Sequence, residues 1–333
     1  GKKGTHLPFS GSNQLNILGP EIESYSQDQI DALTTFVDNP FYGTITDPNS
    51  VLSSPQIQAF QLMVPFPQFP DGVTTDVRPI ASSIYHGLQL VAEKRYTNGL
   101  QFLVSYTWSK SIDDSSVSDD NVTWLGSLTS LQDPNKPYLE RSLSTFDIPS
   151  VLQFSYTYDF PVGRGKAILG NMPRVAEAVL GGWKTSGILR TSAGRPLVMT
   201  LSDGTSLPTY GAQRPNIVGT PRRNNGPDFI DSYFADPGVF QLPEPDTLGN
   251  APRAIGSVRS PTSFTCDMAL GKLFSLASVR EGMNLEFKLE AQNVFNHPVF
   301  GTPNTSVDDP EFGTVSYTSN SPRQVQLGLR VSF

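Results

Sequence analysis

From about Ser83 to the last residue, the chain keeps returning to one pattern: apolar side chains at every second position with polar ones between. The final stretch is the cleanest. Val325, Leu327, Leu329, Val331 and Phe333 alternate with Gln324, Gln326, Gly328, Arg330 and Ser332. A strict period of two predicts a strand with one apolar and one polar face. A tilted strand crosses a bilayer in about 9–11 residues, and residues 323–333 have that reach. For one strand alone a soluble sheet is the better reading, so a membrane is invoked only if the pattern recurs.

The pattern does recur. Leu88, Leu90 and Ala92, against Gln89 and Glu93, predict a strand from about Ser83 to Tyr96. Thr97-Asn98-Gly99 predicts a tight hairpin, because Asn-Gly adopts positive φ at little cost. The returning strand carries Leu100, Phe102, Val104, Tyr106 and Trp108 on one face. Leu152, Phe154, Tyr156, Tyr158 and Phe160 predict a third strand, and Trp183 to Ser192 a fourth. Phe264, Cys266, Met268 and Leu270 mark a fifth, and Leu285, Phe287, Leu289 and Ala291 a sixth. The terminal strand is the seventh. Ser26 caps a predicted short helix from Gln27 to Phe36, and Arg174 to Leu180 reads as a helical turn.

The connections sort by parity. Those after the first, third and fifth strands are short, and the others are long and rich in Pro, Gly, Asn and Asp. Up-and-down barrels of the outer membrane have brief periplasmic turns and large external loops. Aromatics sort as well: Tyr96, Phe160, Trp183, Phe274 and Phe333 fall at short-turn ends, Tyr106 and Trp108 at a long-loop end. Such rings belong at membrane interfaces. The expected fold is therefore an all-β, antiparallel, up-and-down transmembrane barrel of about seven long strands. Residues 1–82 are expected to form an external loop region and 83–333 the barrel part. The expected lipid-facing belt is Leu100, Phe102, Val104, Tyr106, Trp108, Leu152, Phe154, Tyr156, Tyr158, Phe160, Leu285, Phe287 and Leu289.

Composition narrows the function. Charged residues are 17% of the 333, below the usual ~25% of soluble proteins. A net charge of −7 speaks against nucleic acid, whose phosphates need a basic surface. The single cysteine, Cys266, leaves no internal disulfide. The opening Gly-Lys-Lys-Gly, without methionine or signal peptide, reads as a fragment or mature piece.

Candidate chemistry is sparse. His6, His86 and His297 have no metal-ligand spacing, and neither a nucleophile elbow nor a phosphate loop is present. No catalytic residue, cofactor or resident metal is expected. Asp113, Asp114, Asp119 and Asp120 could offer oxygens to calcium, but their spacing is not that of an EF-hand. A solvated acidic loop is the favoured reading. Trp124, Tyr138, Tyr210, Phe229, Tyr233 and Phe234 lie in long loops, where rings can stack on a ligand or pack on one another.

Several strings resemble a known family. Tyr85-His86-Gly87-Leu88-Gln89, Glu93-Lys94-Arg95-Tyr96-Thr97-Asn98-Gly99-Leu100 and Ser105-Tyr106-Thr107-Trp108-Ser109-Lys110-Ser111-Ile112-Asp113 are similar to the barrel of TonB-dependent receptors. The likeness is to the Oar-like branch, which carries a carboxypeptidase-regulatory-like domain at the N-terminus. Asn293-Val294-Phe295-Asn296-His297-Pro298, Phe312-Gly313 and Ser321-Pro322-Arg323-Gln324 resemble the end of that barrel, and Gly4-Thr5-His6-Leu7 a loop segment after one of its strands. The resemblance implies a 22-stranded barrel with a plug and an energy-coupling box, of which this chain looks like the C-terminal third. It implies residence in the bacterial cell outer membrane and contact with its lipid. It also implies an inner-membrane energy-coupling TonB protein as partner through the absent N-terminal part, and uptake or surface binding of a glycan, peptide or chelate. Leu329, Val331 and Phe333 then resemble a signal read by the barrel-assembly machinery. The rivals are a secreted soluble β-sandwich, acting as a glycan-binding module or hydrolase, and a passive outer-membrane adhesin. The sandwich requires Leu152, Phe154, Tyr156 and Tyr158 inside a two-sheet core.

Overall fold

A computed structural model describes residues 1–9, 13–75, 78–115, 131–201, 211, 213–277 and 280–333. Eight principal strands form one antiparallel sheet: β1 (Lys2–Phe9), β2 (Arg78–Thr97), β3 (Leu100–Asp113), β4 (Ser150–Asp159), β5 (Trp183–Ser192), β6 (Ser263–Ser275), β7 (Asn284–Gln292) and β8 (Gln324–Ser332). Each pairs with its neighbours in chain order, and β1 and β8 lie at the two edges. This is the meander that the alternating sequence predicts, since consecutive antiparallel strands need only a turn between them.

The register carries the pattern across the sheet. Leu88 faces Trp108, Phe102 faces Tyr156 and Tyr156 faces Gly187. Gly187 faces Met268, Leu270 faces Leu289 and Leu289 faces Leu327. A slip of one residue at any pair would move a whole strand's apolar set to the other face. The one shift among these pairings, between Lys94 and Thr97, sits beside the 98–99 turn, and elsewhere the register is unbroken, so β2 to β8 share one apolar face. Among their described side chains, the lysines on that face are Lys94 and Lys272 toward the short turns and Lys110 toward the long loops. The opposite face carries Gln101, Gln153, Thr157, Ser186, Glu286, Lys288, Glu290, Gln326 and Arg330, with Val91, Leu103, Ile188 and Leu273 as apolar exceptions.

The sheet curls around its polar side. A single hollow touches Gln101 on β3, Thr157 on β4, Ser186 on β5, Glu290 on β7 and Gln326 on β8. At about 4.8 Å per strand, these strands could not share one hollow if the sheet were flat. Leu152 and the three rings Phe154, Tyr156 and Tyr158 are half-buried by their neighbours within the sheet. Phe154 stacks on Tyr156 at 5.5 Å and meets Phe102 at 6.4 Å. The one large sheet has no second sheet of similar size against its apolar face; the remaining sheets described are two-stranded. The soluble sandwich therefore fails on its own criterion.

Turns follow local chemistry. Asn98 and Gly99 have φ of 54° and 80°, the positive values that a two-residue hairpin needs. The short connections are 98–99, 160–182 and 276–283; the long ones are 10–77, 114–149, 193–262 and 293–323. Helix α1 (Gln27–Thr34) starts where expected, with Ser26 and Gln29 forming a reciprocal capping box. It ends two residues before the expected Phe36.

Two expectations need correction. Residues 1–82 are not loop throughout: Lys2–Phe9 is an edge strand on β2, and β2 begins at Arg78 rather than Ser83. The β1 register shifts between Gly4 and Leu7 and again before Phe9, and His6 takes a φ of 56°. Bulges of this kind break the period on which the strand pattern relies. Gly4-Thr5-His6-Leu7 accordingly lies within a strand, not a loop. Secondly, β3 continues through the polar residues Ser109 to Asp113. With 14 residues it exceeds the roughly 9–11 needed to span a bilayer, and beyond that height alternation with apolar residues is no longer demanded.

Gly187 shows how tightly the apolar face is packed. A Cβ there would stand 2.7 Å from the Tyr156 ring and 3.1 Å from the Asp267 carbonyl. Gly187→Val is expected to destabilise the sheet by about 1–3 kcal/mol through overpacking. Urea unfolding of the detergent-folded protein, followed by tryptophan fluorescence, checks this, with Thr191→Val on the same face as the tolerated control.

Candidate ligand-binding surface

Two regions can meet a solute: the polar wall of the hollow and the structure built by the long loops. The wall is a row of amides, hydroxyls and a carboxylate running across the register as Gln101, Thr157, Ser186, Glu290 and Gln326, interrupted by the methyl group of Ala269. The hollow they help line has a volume of about 870 Å³. Asp267 also lines it, and its carboxylate accepts the Asn293 N–H at 2.8 Å. Lys288 and Glu290 form an ion pair of 2.5 Å, both half-exposed. Such a wall offers many hydrogen bonds. It holds no nucleophile paired with a base, and no group of three His, Cys, Asp or Glu among the described residues is arranged to hold a metal.

The loops build their own core. Connections 193–262 and 293–323 bury Leu197, Met199, Tyr233, Phe234, Phe240, Ile255, Val258 and Val315 together. Phe234 stacks on Phe312 at 4.9 Å and meets Phe240 at 5.1 Å. The Tyr233 hydroxyl donates to the Arg259 carbonyl at 2.5 Å. Burial pushes the Tyr233 pKa up to about 12, although the Arg223 guanidinium over its ring pulls the other way. The phenol therefore stays neutral and serves as a donor.

This corrects the reading of three candidate contact residues. Tyr233 and Phe234 are fully buried, and Phe229 packs against them from the side. They hold the loops in place and present no ring to a ligand. Tyr138 is 67% exposed and is available. Trp124 and Tyr210 lie outside the described residues.

Three arginines tie the 193–262 connection to the one between β3 and β4. Arg214 donates to Glu140 at 3.0 Å and to the Gln132 side chain at 2.9 Å. Arg253 donates to the Asp113 carboxylate at 2.5 Å and to the Glu140 carbonyl at 2.9 Å. Arg259 donates to the Asp147 carboxylate at 2.7 Å and to the Asp147 and Gly194 carbonyls at 3.0 and 3.2 Å. Burial lowers the Arg214 pKa, while Glu140 opposes the shift. The partners lie far apart in sequence, so no spacing rule reveals them. An acid-rich β3–β4 loop and arginines in a neutral loop were the only hints available. Asp113, one of the calcium candidates, is thus committed to Arg253. Asp114 accepts both the backbone N–H and the hydroxyl of Ser82 at 2.7 Å. Asp119 and Asp120 lie outside the described residues.

Asp133 sits where this cluster meets the β1–β2 connection. It is buried, one oxygen accepts the Asn135 N–H at 2.8 Å, and the other has no partner. Burial raises its pKa, with further upward pushes from Glu23, while the Asn135 N–H and Lys136 lower it. Lys136 is bound to Glu23, which raises the lysine's pKa.

A family model for an outer membrane β-barrel domain matches residues 1–326. Among curated proteins and solved structures, none matches the chain.

The surface yields two predictions. Arg253→Ala leaves Asp113 buried without its cation, and breaking a buried pair costs about 3–5 kcal/mol. Limited proteolysis of the folded protein should then cut in 114–149 while the strands survive. An Asp with a raised folded pKa binds its proton more tightly folded than unfolded. Its contribution thus favours folding below the ordinary carboxylate pKa of about 3.9 and is lost as pH rises through the raised value. Asp133→Asn should stabilise the loops at neutral pH and make no difference in acid; hydrogen exchange of 131–141 across the pH range measures this.

Proposed function

Because the chain belongs to the outer membrane β-barrel domain family, we propose that it is the barrel portion of a TonB-dependent receptor that takes up or captures a bulky nutrient. Residence in the bacterial outer membrane follows from the family. The observation that carries the finer reading is the curl of the sheet: apolar side chains outward as a lipid belt, a hydrogen-bonding wall inward, and structured loops at one end. Receptor-like strings around Trp108 and at 293–298 add to it. In this reading further strands and a plug from the parent protein complete the pore, since β1 and β8 each leave an edge unpaired and lipid tolerates no open edge.

The protein does no covalent chemistry in this account. The long-loop end selects the ligand, whether glycan, peptide or chelate, through Tyr138 and the polar rim. The wall of Gln101, Thr157, Ser186, Glu290 and Gln326 lets it pass by exchanging one weak hydrogen bond for another. Uptake draws on the inner-membrane energy-coupling protein, which reaches the plug and not this part of the chain. Leu329, Val331 and Phe333 face outward on the last strand and serve the assembly machinery during insertion.

The passive adhesin shares the belt and loops but needs no energy coupling. Cells expressing the full-length parent, with and without the coupling protein, separate the two. Ligand binding that persists while uptake ceases supports the receptor; retention of uptake without the coupling protein contradicts it. The belt itself is tested by Phe154→Arg and Ser155→Arg in the membrane-folded protein. The outward change should cost about 2–4 kcal/mol near the midplane and the inward one much less. Equal costs would place the faces wrongly.

A further inference from the structure

The connection 160–182 between β4 and β5 contains a short helix, α2 (Arg174–Leu180). It lies at the short-turn end of the sheet. Its inner side is fixed: Glu177 accepts the Arg164 N–H at 2.7 Å, Met172 is buried, and Gly181 caps the Glu177 carbonyl at 3.0 Å. Its outer side is apolar and bare. Val175 is 80% exposed and Val179 63%, one helical turn apart, and Leu180, Ile168 and Leu169 are exposed beside them.

The helix is anchored on the apolar face of the sheet, not on the polar wall. Lys272 stands on that face, opposite Trp183. Its ammonium donates to the carbonyls of Glu177 and Ala178 at 3.1 and 2.8 Å, closing the C-terminal end of α2. It also lies over the Trp183 and Phe274 rings at 5.5 and 5.0 Å. The Trp183 indole N–H donates to the Val179 carbonyl at 2.8 Å, and its ring meets Phe287 edge-on at 5.8 Å. A buried cation among the rings of the apolar face is thus explained: the lysine fastens the helix there. The exposed stripe of α2 continues the apolar face at the height of its aromatic ring girdle. Around the stripe, Arg164 and Arg174 are exposed and Glu177 is the single acid of 160–182, in a chain whose net charge is −7; Lys166 instead lines a small hollow with Asp159, Lys184 and Glu286 of the polar face.

We infer that α2, with Ile168 and Leu169, is an interfacial anchor that lies in the headgroup layer of the periplasmic leaflet. Its valines and leucines enter the acyl boundary, and Arg164 and Arg174 meet phospholipid phosphates. The partner is a lipid surface, because the stripe is continuous with the belt and the surrounding charge complements phosphate. An apolar helix face flanked by basic residues settles about 5–10 Å into that boundary. The inference rests on the outward belt proposed above.

Depth-dependent quenching tests it and separates the two claims. In the full-length protein carrying Cys266→Ala, a bimane label is placed at Val179→Cys or, for comparison, at Phe154→Cys. Each protein is folded into phosphatidylethanolamine–phosphatidylglycerol vesicles with nitroxide lipids, labelled near the headgroup or deep in the chain. Val179 is exposed and Phe154 lies half-buried on the outward face beside Phe102 and Tyr156, and the shift of each labelled protein between unheated and heated gels establishes that it has folded before quenching is read. The expected result is quenching of the Val179 label chiefly by the shallow nitroxide and of the Phe154 label by the deep one. Quenching at Phe154 but not at Val179 overturns the anchor and leaves the belt standing. Quenching at neither overturns both. A further arm replaces Arg164 and Arg174 with Gln. Shallow quenching at Val179 should then weaken, and unchanged quenching in both anionic and neutral vesicles would overturn the role given to phosphate.

Discussion

Registry is the constraint on which everything else depends. Each strand alternates, but alternation within a strand does not make a face. The faces exist because six successive pairings, from β2 through β8, keep the same parity. Phe102, Tyr156, Gly187, Met268 and Ala291 stand in one line, and Gln101, Thr157, Ser186, Ala269 and Glu290 in the next. Hydrogen bonds between backbones are indifferent to this choice. Side-chain burial is not, and in a membrane the difference is larger, since a misplaced charge on the lipid side costs kilocalories. The lysines on the apolar face lie toward strand ends, where they can reach water or, as Lys272 does, a helix terminus.

The long-loop end obeys the rules of a soluble domain. It buries aromatic rings against each other, satisfies carboxylates with guanidinium groups and uses Asx turns to close its backbone. Two connections that could have been floppy are instead joined by Arg214, Arg253 and Arg259 to Glu140, Asp113 and Asp147. Buried ion pairs contribute little net stability but penalise any arrangement that separates them. Here they fix one loop upon another, so that the rim above the hollow keeps a defined shape. A receptor gains from this: a preorganised rim loses less entropy when it binds.

How much could be read beforehand differs between the two halves. Strands β2 to β8 were legible because two solvents act on their two faces and write a period of two into the sequence. The hairpin at Asn98-Gly99 and the cap at Ser26 were legible because their chemistry is local. β1 was hidden because bulges around Gly4 to Phe9 disrupt the period, and the polar end of β3 because it stands clear of any apolar demand. The loop aromatics were located, but the sequence left open whether each stacks on a ligand or packs on another ring. Tyr233 and Phe234 are spaced like any other loop rings, and only the meeting of 193–262 with 293–323 decides that they are buried. The arginine clamps were invisible for the same reason: their partners come together only in three dimensions. Lys272 departs from the alternation of β6, and α2 set against it supplies the reason.

The central claim is that the odd-numbered residues of the last strand face hydrocarbon and the even-numbered ones face water. A nitroxide carried one position at a time along 324–332 in isolated outer membranes measures this directly, through collision with oxygen, which favours lipid, and with a water-soluble nickel chelate. The account predicts an oscillation of period two, with oxygen dominating at Val325, Leu327, Leu329 and Val331 and the chelate at Gln324, Gln326, Gly328, Arg330 and Ser332. A flat profile, or one of opposite phase, would contradict it.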